Sequence, residues 1–313
     1  FARQPRSNGK IIVMADGSAD ITTEAEARRA AAEAAREAKA EALPKSSAEK
    51  PGARSKATVK AGRPEWHEFL VDVWITNLNS VEFGFYKRSR NKAKSRQFTT
   101  DMDVFAEIIE NGERTGLLGY REDLWKDNVG MDKRLVFKLF GEKLNWKATM
   151  DLMIARSVQL TLGARGVPVL AFSFNANDGD HMIYLERSAN KWPLLPENFS
   201  FFSMDQGEPE FYRLRRDLID LGGDYALLNQ RNETIGTIDG RLLSFGKWHV
   251  RIRKEHANPA LLTVLKLFCG MLAFNRSGVR HMRKLSRAVQ AGTYTPKIEK
   301  QEADLYMNPR RVR

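Results

Sequence analysis

Over most of its second half the chain alternates apolar and polar residues in short runs separated by turn residues. Residues 246–253 show the rhythm: Trp248, Val250 and Ile252 point one way while Lys247, His249, Arg251 and Arg253 point the other, giving one dry face and one wet face. Residues 167–175 and 181–186 read as two further strands around an Asn-Asp-Gly-Asp turn. Residues 66–77 and 81–86 read as strands near the start of the folded part. This succession predicts a closed or nearly closed antiparallel sheet.

The period then changes. Across 259–274, at 100° per residue, only Leu262, Thr263, Lys266, Gly270 and Ala273 share one narrow side, and every other direction is apolar. Asn258 as N-cap and Pro259 at the first helical position predict where this helix starts, and Asn275 where it ends. A helix apolar on nearly all sides needs burial, and the dry face of the sheet can hold it. Its rise of about 22 Å falls short of the roughly 30 Å hydrocarbon core of a membrane. Lys266 also falls mid-way, so a buried core helix is expected rather than a span.

A second helix is predicted over 100–111, with Val104, Phe105, Ile108 and Ile109 on one face, Asp101 and Asp103 near its start and Gly112 as its stop. A third, over 23–43, opens on the capping box Thr23 to Glu26 and is rich in Ala, Glu, Arg and Lys. Without a leucine stripe it builds no core of its own. The Lys/Ser/Ala/Gly/Pro stretch that follows, 44–63, reads as a linker. Residues 135–140 and 150–162 fit strand or helix equally by periodicity.

One segment carries a family signal. Residues 211–216 (Phe-Tyr-Arg-Leu-Arg-Arg), 224–228 (Asp-Tyr-Ala-Leu-Leu), the polar turn 229–233, Thr234-Ile235-Gly236-Thr237-Ile238 and then 245–252 resemble the hairpin unit of the tubby-like C-terminal superfamily, in particular its LURP-one-related and phospholipid-scramblase branches. The resemblance implies an α+β fold, an antiparallel barrel over about 131–276 threaded by the apolar helix 259–274. Around it would stand an extension at 1–63, an N-terminal part of the folded domain at 64–130 and a basic extension at 277–313. The scramblase branch also carries a cysteine cluster and an acidic calcium-binding segment. Here the single cysteine is Cys269, within the apolar helix, and Asp239 and Glu255 stand isolated among cations, so the fold carries over better than scramblase activity.

Charge adds a partner class. With 51 Lys and Arg against 39 Asp and Glu, the net charge of +12 favours polyanions: RNA, DNA or an anionic membrane surface. Two segments concentrate it without any acid. Lys87, Arg88, Arg90, Lys92, Lys94 and Arg96 follow Phe83, Phe85 and Tyr86, cations for phosphates beside rings for base stacking. Arg276, Arg280, Arg283, Lys284 and Arg287, with Arg310 and Arg311 near the end, form the second set.

Candidate chemistry is sparse. No phosphate-binding glycine loop, nucleophile elbow or metal-ligand spacing occurs. The loop around Asp16, Ser18 and Asp20 lacks the remainder of a calcium loop, and the Asn and Asp residues at 175–180 suit a hairpin turn. Neither a catalytic residue nor a cofactor is expected, no small-molecule substrate is evident, and a lone cysteine fits a reducing compartment. Phe1 in place of Met is compatible with a removed presequence. The leading expectation is a non-enzymatic subunit of a large RNA-containing assembly, with the mitochondrial ribosome as host, rRNA and neighbouring subunits as partners and the matrix as location. The alternative is a peripheral, scramblase-like lipid-binding protein, cytoplasmic and membrane-peripheral.

Overall fold

In the computed structural model, described over residues 65–73, 102–177, 181–189, 196–205, 207–217, 223–240 and 246–307, each strand pairs antiparallel with the next in sequence and the last pairs with the first. The strands are β1 (Trp66–Val73), β2 (Met102–Glu110), β3 (Glu113–Arg121), β4 (Val136–Gly141), β5 (Trp146–Leu152), β6 (Ala171–Ala176), β7 (Ile183–Arg187), β8 (Asn198–Asp205), β9 (Glu208–Arg216), β10 (Tyr225–Leu228), β11 (Thr234–Gly240) and β12 (Lys247–Arg253). Closure comes from seven facing pairs between β1 and β12, from Trp66 opposite Arg253 to Asp72 opposite Lys247. It leaves no open sheet edge. The wall therefore begins at Trp66, and the residues before 131 supply its first three strands.

Four helices accompany the barrel among the described residues: α1 (Glu122–Lys126), α2 (Ile154–Gly163), α3 (Pro259–Gln290) and α4 (Lys300–Met307). The predicted cap holds, since Asn258 Oδ1 accepts the Leu261 amide at 2.7 Å with Pro259 at the helix start. Along the first half of α3, Leu261, Val264, Leu265, Leu267, Phe268, Cys269 and Met271 are fully buried within the barrel. Aromatic rings grip it: Phe268 meets Phe199 and Tyr225 edge-on at 5.1 and 5.3 Å, and Phe274 meets Phe105 edge-on at 5.4 Å. Gly270 marks the tightest approach, where a Cβ would lie 2.7 Å from Leu118 Cδ1. Lys266, the one cation in this half, pairs with Glu110 on the wall at 2.5 Å.

Two sequence expectations are corrected. Of the helix expected over 100–111, residues 102–110 are instead strand β2, and 100 and 101 lie outside the described residues. A bulge at Phe105 inserts one residue into the β2–β3 ladder. Met102 and Val104 consequently face a small outer cluster with Leu117 and Phe140, while Phe105 and Ile108 face the main core. Apolar residues at 104, 105 and 108 thus imitate helical spacing. Asn111 and Gly112, at φ 54° and 81°, are the two-residue hairpin turn rather than a helix stop, and Asp103 is a strand residue. The apolar helix, moreover, does not end at Asn275 but continues to Gln290. The ambiguous runs resolve as β4, β5 and α2. Helix 23–43, linker 44–63 and strand 81–86 lie outside the described residues.

The C-terminal segment folds back. The Met131 amide donates to Tyr294 Oη at 3.0 Å, and Glu302 on α4 accepts the Ala155 and Arg156 amides at 3.0 and 2.8 Å, capping α2 from 146–147 residues away. Leu305 packs beside Met153 and Ala171.

Candidate nucleic-acid interface

Beyond Asn275, α3 stops being apolar all round. Gly278, Met282, Leu285 and Ser286 are buried, whereas Arg276, Arg280, Arg283, Lys284 and Arg287 are all exposed. Spacings of 4, 3, 1 and 3 residues bring those five side chains within about 100° of one another around the axis, over roughly 16 Å of helix. At the root of the stripe, Asn275 Nδ2 donates to Glu197 Oε1 at 3.1 Å, fixing the helix to the start of β8. Glu197 also accepts from Arg187 and from Tyr225, and Arg187 and these hydrogen bonds outweigh burial to hold its carboxyl below the usual range.

No ion pair involves any of the five cations among the described residues. The wet face of β1 and β12 differs: Lys247 pairs with Asp72 at 2.8 Å, Arg251 with Glu68 at 3.0 Å, and Lys254 with nearby Glu65 at 2.8 Å. Barrel cations there are matched by acids, whereas the stripe is left positive. His281, beside the stripe, lies edge-on to Trp125 at 5.5 Å. Burial, then Lys133, push its imidazole down to about 4, with Lys284 adding to the effect. Lys133 itself lies over the Trp125 ring at 4.9 Å. Five adjacent unpaired cations can neutralise a run of phosphates.

A second patch escaped the sequence reading. On the outer wall Phe202, 64% exposed, lies opposite Phe211 with ring centroids 4.9 Å apart. Arg213 and Arg215 follow on the same face of β9, Arg213 hydrogen-bonded to Asn232. Two rings beside two guanidiniums are the elements of a base-stacking surface. Its signal was the period-2 series Phe211, Arg213, Arg215, read earlier only as part of a hairpin.

Of the residues expected at the interface, Arg276, Arg280, Arg283, Lys284 and Arg287 are brought together. Lys87, Arg88, Arg90, Lys92, Lys94, Arg96, the rings Phe83, Phe85 and Tyr86, and the tail pair Arg310 and Arg311 lie outside the described residues. Cys269 is fully buried, which pushes its thiol well up from the ordinary range. Among the described residues no three His, Cys, Asp or Glu side chains converge as a metal site. By length and composition α3 would suffice to cross a membrane, but its apolar first half is occupied by the barrel wall. Comparison with protein-family models, with curated proteins and with solved structures gives no match.

Proposed function

We propose that the protein is a non-enzymatic accessory subunit of a large RNA-containing assembly, with the mitochondrial ribosome as the host we favour. The barrel would serve as a docking body and the basic stripe of α3 as its RNA contact. The observation carrying this reading is the row of five exposed cations without a carboxylate partner among the described residues, on a molecule whose β1–β12 cations are paired. A solvated helix gains nothing from concentrating like charge, whereas a phosphate backbone rewards it by counterion release. A closed barrel threaded by an apolar C-terminal helix supports the tubby-like resemblance. We read the chain as a divergent barrel of that type without scramblase chemistry.

The test is binding of a single-stranded RNA across a salt series, read by fluorescence anisotropy, for the wild type and for a variant with Arg276, Arg280, Arg283 and Arg287 all changed to Gln. Each lost phosphate contact should flatten the slope of log K against log salt by roughly 0.7. Unchanged affinity and slope would sink the RNA assignment. If the variant instead loses only its flotation with phosphatidylserine vesicles, the surface is a membrane contact, a reading that the exposed Phe202–Phe211 pair also suits.

A further inference from the structure

Where α3 enters the barrel, a cavity of about 340 Å³ opens between the first turns of the helix and the ends of β5 to β8. It exists because the side chains meeting there are small: Ala148 on β5, Ala176 on β6 and Ala260 on α3 face one another across it. Phe174 and Val264 make its apolar wall, and His181 and Met204 stand exposed at the rim. Its size falls within the roughly 300–1,000 Å³ of small-ligand pockets.

The polar groups facing this space are few. Among the described residues they are, apart from the His181 ring, the hydroxyls of Ser203 and Thr263, with no Lys, Arg, Asp or Glu in the lining. Ser203 is only 2% exposed, and its Oγ has no hydrogen-bond partner among the described residues. A buried hydroxyl normally finds a partner. An apolar space with one unused donor suits a ligand that is apolar along its length and ends in an uncharged acceptor. A carboxylate head would find no cation among the described lining residues.

We propose that this cavity is a binding site for a neutral acyl chain, whose ester or amide carbonyl oxygen accepts a hydrogen bond from Ser203 Oγ. The site lies at the opposite end of α3 from the basic stripe and does not depend on the RNA assignment. A free acyl ester and the chain of a phospholipid share this chemistry.

The test uses the full chain and the neutral dye N-phenyl-1-naphthylamine, whose fluorescence rises on entering an apolar site, displaced first by methyl decanoate and then by dioctanoylphosphatidylcholine kept monomeric. Displacement by the ester alone identifies a free-ester site, and displacement by both a phospholipid-chain site. Ser203→Ala should weaken methyl decanoate binding roughly three- to tenfold, the worth of one net hydrogen bond, while leaving dye binding unchanged. Ala176→Trp, which fills the space, should abolish dye binding. Should that variant not fold, methyl NMR of Ile183 and Val264 in the wild type is expected to shift on adding methyl decanoate. No dye binding and no such shift, dye binding undiminished in a folded Ala176→Trp, or an ester affinity unmoved by Ser203→Ala would each overturn the proposal.

Discussion

The two halves of α3 are one continuous helix with opposite relations to their surroundings. From Pro259 to Asn275 the wall surrounds it, and Lys266 is accommodated by pairing with Glu110 and lying over the Phe69 ring. From Arg276 to Gln290 one side packs on Trp125 and Leu170 while the other carries five cations. Helix propensity distinguishes the halves little. What differs is the environment: a closed wall accepts apolar side chains in every direction, whereas a helix leaving the barrel must keep a wet side. Fold stability should therefore concentrate in the first half and charge-dependent binding in the second.

The comparison breaks most readily at Leu265, which is fully buried in the first half. Leu265→Asp should cost about 4 kcal/mol or more by burying an unpaired charge, visible as loss of the cooperative transition in urea. A folded variant with normal melting would mean that the barrel does not depend on its threaded helix.

His281 tests the second half by pH. Its folded pKa, pushed down to about 4, lies below the unfolded value near 6.5, so the unfolded chain binds the extra proton first. The contribution is complete above pH 6.5 and is lost as pH falls towards 4, by at most about 3 kcal/mol. Asp151, pushed up to about 6 chiefly by burial despite its pairing with Arg134, acts in the opposite sense. Urea titrations of wild type and His281→Phe are therefore compared, and an identical pH dependence would show that His281 is not held neutral.

A smaller effect is expected at Gly270. Gly270→Val should destabilise by about 1–3 kcal/mol through overpacking against Leu118 and Phe105, against less than about 1 kcal/mol gained in helix propensity. A rise in melting temperature would show that the wall yields there. Smallest of all, changing Arg276, Arg280, Arg283 and Arg287 to Gln should move stability by only about 0.5 kcal/mol while flattening the salt dependence of RNA binding. A large loss of stability would give the stripe a structural role and blur the contrast between the halves.

Local pattern was enough to find many of the parts. Alternation in 246–253 separated the dry face of β12 from the wet one, and Val250 and Ile252 are buried accordingly. Asn258 and Pro259 placed the start of α3, and an apolar circumference required that it be enclosed. The acid-free run from Arg276 was legible as a set of cations, though with the helix expected to end at Asn275 not as a stripe along it. Other features depended on partners distant in sequence. Periodicity reports one segment's own faces, so it could not anticipate that a bulge at Phe105 would put both sides of β2 against apolar clusters. Nor could it show that Met282 and Leu285 would find enough wall and loop to carry α3 past Asn275, or that Glu302 would cap α2. Closure of β1 on β12 joins residues 175 to 187 positions apart, and the cavity at Ser203 arises where small side chains from separate strands meet the helix. Register, enclosure and empty space are properties of facing surfaces, and only the assembled barrel decides which surfaces face.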